Sequence, residues 1–115
     1  MSVIIQKPWG HEVLWSVTEK YVGKILKLNS GSKLSRQYHV QKDETIYVLS
    51  GKDFTLEVGE PGNIEEIKMS VGQSYRIKPG TVHRFIAGSE SCTFLEVSTP
   101  ELDDVVRIED DYGRE

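Results

Sequence analysis

Short runs of β-branched and aromatic residues, many with apolar and polar positions alternating in twos, recur along the whole chain. "HEVLWSV" (His11–Val17), "YVGKILKLN" (Tyr21–Asn29), "TIYVLS" (Thr45–Ser50) and "FTLEV" (Phe54–Val58) read as strands. So do "IEEIKM" (Ile64–Met69), "SYRI" (Ser74–Ile77), "HRFI" (His83–Ile86) and "TFLEVS" (Thr93–Ser98). The segments between them, such as "NSGS", "GEPGN", "KPGT" and "AGSES", are turn chemistry. No stretch holds a helical period over three turns. "PELDDVV" (Pro100–Val106) is expected to make one helical turn, and the tail beyond it a terminal strand or arm. Strands of this length and spacing predict an all-β sandwich or barrel. Residues 1–115 read as a single domain, with 100–115 as the arm.

Composition narrows the partners. A chain of 115 residues with 37% hydrophobic content suits one domain with its own core. A net charge of −4 leaves no cationic excess for nucleic acid. Cys92 is the sole cysteine, and its place in "CTFLEV" predicts a small buried residue. The start "MSVIIQKPWG" lacks the pattern of a secretory signal, and no run approaches the ~20 apolar residues of a membrane span. The expectation is a cytoplasmic protein without a membrane partner.

Candidate chemistry gathers in "SRQYHVQKDETIYVLSG" (Ser35–Gly51). Alternation puts Gln37 and His39 on one face of a strand, and the polar "VQKD" can return Glu44 beside them. His83 follows the turn "KPGT" and can aim at the same point from another strand. One glutamine oxygen, one carboxylate and two imidazoles make a mixed N/O set for a divalent first-row metal. Spacing alone equally describes polar residues on an ordinary hairpin.

The same spacing resembles the two motifs of the cupins. Gly31, Gln37-Tyr38-His39, Glu44 and Gly51 fill the slots of the first motif, with glutamine in place of the first histidine. Gly72, Gly80 and His83 fill the second, although Lys78 stands in its proline slot. The flanks "KPWGHEVL", "PGTVHRF" and "DDVVRIEDDYGR" are similar to the type II phosphomannose isomerase cupin, which also forms the carboxyl-terminal part of bifunctional mannose-1-phosphate guanylyltransferases. Two histidines usual in that group are replaced here by Gln41 and Thr45.

The resemblance implies a double-stranded β-helix, or jelly-roll barrel, paired as a homodimer. It implies one divalent ion (Zn, Mn, Fe, Co or Ni) on Gln37, His39, Glu44 and His83. The implied reaction interconverts aldose and ketose phosphates, mannose 6-phosphate with fructose 6-phosphate. Arg84, Arg107 and Arg114 are candidates for the phosphate, and Trp9 for contact with the sugar. By alternation Arg84 faces away from His83 unless the strand bulges. The general base is open; His11, the remaining histidine, reads as outward on its strand. A carbohydrate-binding cupin without catalysis is the alternative favoured by Gln41 and Thr45. An iron oxygenase is the third reading.

Overall fold

Side chains that alternate along a strand sort themselves into an inner and an outer set once two sheets face each other. The computed structural model describes residues 2–114, and its regular structure is entirely strand. These are β1 (Val3–Lys7), β2 (Gly10–Val17), β3 (Val22–Leu28), β4 (Arg36–Tyr38), β5 (Glu44–Ser50) and β6 (Phe54–Glu60). They continue as β7 (Asn63–Met69), β8 (Ser74–Ile77), β9 (Val82–Ile86), β10 (Cys92–Ser98) and β11 (Val106–Glu109). One sheet has the order β1-β2-β3-β10-β5-β8 and the other β11-β4-β9-β6-β7. All pairings are antiparallel, and the whole is a jelly roll.

The inner face changes character along the strands. Cys92, Phe94 and Glu96 of β10 lie opposite Leu28, Leu26 and Lys24 of β3, and all six are buried. At the apolar end Phe94 packs with Phe54 and Phe85 at ring-centroid distances of 5.2 and 4.9 Å, and Ile46, Val48 and Leu56 complete the core. At the other end the same alternation turns Lys24, Glu96 and Glu44 inward. A hydrophobic plug therefore closes one end of the barrel and a charged cavity opens at the other.

Two glycines hold turns at the two ends of the barrel. Gly51 sits at φ +106°, and a Cβ there would stand 2.5 Å from Cys92 Cβ. Gly80, at φ +83°, donates its N–H to the carbonyl of His39 at 2.7 Å. That bond ties the "KPGT" turn to the loop after β4.

Two features differ from the expectation. β1 was not foreseen: it is an edge strand whose Val3 and Ile4 remain exposed, so burial leaves no contrast to read. No helical turn forms at Pro100–Val106; Leu102 N–H bonds to Pro100 O and Val105 N–H to Asp103 O, bends of three residues. The tail then forms β11 against β4, the terminal strand that was expected. On the outer face of the larger sheet, Ile4, Val13, Ile25, Leu95 and Tyr47 stand in register as an apolar row across five strands.

Candidate metal centre

The barrel brings His39, Glu44 and His83 together. Gln37 on β4 lies in register with His83 on β9, while His39 stands just past the end of β4 and Glu44 opens β5. His39 Nε2 is 3.4 Å and His83 Nε2 3.2 Å from the same oxygen, Glu44 Oε1. The exposures are 6%, 1% and 2% for His39, His83 and Glu44.

Hydrogen bonds on the far side of each ring fix what faces the centre. His39 Nδ1 donates to the carbonyl of Asp104 at 2.5 Å, and His83 Nδ1 to the carbonyl of Thr81 at 2.9 Å. A carbonyl can only accept, so each neutral ring carries its proton on Nδ1 and turns an Nε2 lone pair inward. In that neutral form two lone pairs and a carboxylate oxygen converge with no proton between them. Glu44 Oε1 and Oε2 and His83 Nε2 are buried without a hydrogen bond. Such an arrangement is repulsive unless a cation lies among the three. The donor set, two imidazoles and one carboxylate with backbone carbonyls behind the rings, suits a divalent first-row metal.

Glu44 is prepared as an anion. Burial would raise its carboxyl, but His39 and His83, where they carry a proton on Nε2 in place of a cation, and the Lys42 ammonium together hold it well below the usual range. Lys42 is itself buried, with Nζ 3.2 Å from both Glu44 Oε2 and Glu96 Oε2. Burial disfavours its charge, yet the two carboxylates overcome that and raise its pKa. Glu96 moves the other way for a carboxylate: burial, then the charge of Glu44, pushes it up to about 7 against the pull of Lys42 and Lys24. Glu12 continues the line, 3.6 Å from Lys24 and 4.0 Å from Lys7.

The loop between His39 and Glu44 is held by Asp104. Its carboxylate accepts the backbone N–H groups of Val40, Gln41 and Lys42 at 2.9, 2.7 and 2.9 Å. These bonds, Gln41 first, lower its pKa. One residue of the tail therefore orders the ligand loop with its side chain and orients His39 with its backbone.

A cavity of about 100 Å³ opens beside the centre. Gln37, His39 and Glu44 line it together with Lys42, Glu96 and Asp104. Trp9 is buried in the core cluster and also forms cavity wall. Arg107 and Arg114 line the cavity, Arg114 with its guanidinium on Asp110 at 2.9 and 3.1 Å. Arg84 stands apart from it. Its side chain is buried on the outer face of its sheet, bonded to Leu34 O at 2.7 Å and paired with Glu109 and Asp111. Lys42, Glu96 and Asp104 were missed from sequence. For Glu96 a signal existed, since Phe94 and Glu96 share a face of "TFLEVS".

The cupin domain family matches residues 24–98, which include His39, Glu44 and His83. This chain belongs to the cupin family. The cupin is 31% identical over 114 residues to mannose-1-phosphate guanylyltransferase ManC of Salmonella typhimurium. It is 32% identical over 116 residues to xanthan biosynthesis protein XanB of Xanthomonas campestris. Each match covers 96% of this cupin and 23% of the relative, so the chain spans about a quarter of the curated proteins it resembles. Among solved structures, the capsular polysaccharide assembling protein CapF of Staphylococcus aureus superposes with a TM-score of 0.82 at 17% identity, covering 95% of this chain and 34% of CapF. Oxalate decarboxylase of Bacillus subtilis gives 0.80 at 16% identity, covering 93% of this chain and 30% of that one. These two likenesses establish the fold alone.

Proposed function

We propose that this cupin is a metal-dependent aldose–ketose isomerase of sugar phosphates, with mannose 6-phosphate and fructose 6-phosphate as the pair to test first. The observation that carries the reading is the convergence of His39 Nε2, His83 Nε2 and Glu44 Oε1 on one point beside a cavity with cationic side chains in its wall. The match along nearly the whole chain to a mannose-1-phosphate guanylyltransferase supports the sugar class.

A divalent ion held by His39, Glu44 and His83, with Gln37 as the further ligand, would supply positive charge where negative charge develops on the substrate oxygens. The remaining work belongs to the chain. A proton must leave the carbon beside the carbonyl and return to its neighbour. Among cavity-lining carboxylates of the described residues, Glu44 is in the metal set, Asp104 accepts three backbone N–H groups, and Glu12 lies between Lys7 and Lys24. Glu96 is assigned the proton transfer, with Lys42 positioning its carboxylate. Trp9 contributes an apolar wall that keeps water from that side of the cavity.

The alternative of a binding cupin rested on Gln41 and Thr45. Gln41 is exposed and Thr45 points away from Glu44 along β5, and neither borders the cavity. Their identity removes nothing from the site. The homodimer and the cytoplasmic location are part of the same proposal; the apolar row through Val13, Ile25 and Leu95 is a surface that a second copy would cover.

Proton NMR of mannose 6-phosphate incubated with metal-loaded protein, beside a chelator-treated sample, tests the function. Fructose 6-phosphate is expected in the loaded sample alone. No turnover by protein with bound metal would refute isomerisation of this pair.

A further inference from the structure

Among the described residues Arg107 is the arginine without a carboxylate. Arg36 holds Glu57 and Glu109, Arg76 holds Asp43, Arg84 holds Glu109 and Asp111, and Arg114 holds Asp110. Arg107 enters no ion pair among the described residues, and its Nε is buried with no hydrogen bond. A guanidinium N–H taken out of water without an acceptor is costly, and folds retain such a group where a ligand completes it.

Its place in the sheet gives the distance over which it acts. Arg107 of β11 lies in register with Gln37 of β4, and Gln37 with His83 of β9. The three stand in one row on the same face, and Arg107 and Gln37 both line the cavity. Neighbouring strands are about 4.8 Å apart, so two steps separate the backbones of His83 and Arg107 by roughly 10 Å. The other cavity-lining cations are committed: Lys7 and Lys24 to Glu12, Lys42 to Glu44 and Glu96, Arg114 to Asp110.

We infer that Arg107 is the anion anchor of the cavity, receiving the phosphate of an open-chain sugar phosphate whose carbonyl end lies at His39, Glu44 and His83. The inference rests on the isomerase reading for its sugar, while the anion site stands on the geometry alone. A ligand spanning two strand steps has the reach of an extended hexose 6-phosphate; a triose phosphate falls short of one end. Arg107 is then a specificity-determining residue, selecting both charge and chain length.

The test separates binding from turnover. Glucitol 6-phosphate, which has no carbonyl and cannot isomerise, is titrated calorimetrically into metal-loaded wild-type protein and Arg107→Leu, with glucitol and glycerol 3-phosphate as comparison ligands. Loss of one charge-assisted, hydrogen-bonded pair is expected to weaken glucitol 6-phosphate about tenfold to a hundredfold. Arg107→Lys recovers part of the affinity, while metal content stays at the wild-type level. Equal affinity in wild type and Arg107→Leu, or glycerol 3-phosphate binding as tightly as glucitol 6-phosphate, overturns the inference. The Arg107 Nε–H resonance of the wild-type protein gives a second readout that needs no variant. It should shift on addition of inorganic phosphate, and an unmoved resonance at saturation overturns the anchor. Failure of isomerisation with the Arg107 effect intact would refute the reaction and leave the anchor standing.

Discussion

Replacing Glu96 by glutamine should flatten the pH dependence of stability. The carboxyl is buried beside Glu44, and its pKa rises from the ordinary 4.5 to about 7. Because the folded value is the higher one, the folded protein holds this proton more tightly than the unfolded chain. The stability linked to it is present in full below pH 4.5 and is lost as the pH rises toward 7. At about 1.4 kcal/mol per pH unit the interval is worth roughly 3 kcal/mol. Glutamine has nearly the same shape and does not ionise, and Lys42 keeps Glu44 as a partner in the variant. Urea unfolding of chelator-treated wild type and Glu96→Gln at pH 4.5, 6 and 8 measures the difference, in which the other titrating groups largely cancel. The variant should gain on the wild type by about 3 kcal/mol between pH 4.5 and 8. Parallel curves would show that Glu96 titrates as an ordinary carboxylate and would refute the buried network.

Other perturbations bear on separate parts of the structure. Asp104→Ala removes the acceptor of three backbone N–H groups in the ligand loop, and metal affinity in a chelator competition should fall about ten- to a hundredfold. An unchanged affinity would mean that the loop is held without it. Cys92 is buried and its thiol is pushed up to about 11, so a disulfide reagent at pH 8 should react with it only after unfolding in urea. Rapid labelling in native buffer would contradict that placement. Phe94→Ala, at the centre of the Phe54–Phe85–Phe94 contacts, should cost about 3–5 kcal/mol in the same unfolding assay. A loss under 1 kcal/mol would place the core elsewhere.

How much of this was legible depended on whether the information was local. Strands such as Thr45–Ser50 and Thr93–Ser98 announce themselves because one buried face forces alternation within the segment. β1 hides because Ile4 contributes to an outer apolar row while nothing on the strand is fully buried. His39, Glu44 and His83 could be listed from spacing, but their meeting depends on the register of β4 with β9 and on the Gly80–His39 bond. Asp104 was beyond reach for the same reason: it lies more than sixty residues from the loop it caps. Lys42 read as a turn residue within "VQKD", and only the inward course of β5 and β10 places two carboxylates around it. Alternation already turned Arg84 away from His83, whereas the place of Arg107 in the cavity wall depends on the register of β11 with β4.

Whether His39, Glu44 and His83 hold an ion is read from the metal content of the wild-type protein and of His39→Ala and His83→Ala, measured by elemental analysis after loading and exhaustive dialysis. Far-ultraviolet circular dichroism is recorded on the same samples. One tightly held divalent ion is expected per wild-type chain, lost in both variants while the strand signal is kept. Wild-type levels of metal in both variants would contradict the site, as would a wild-type protein that retains none.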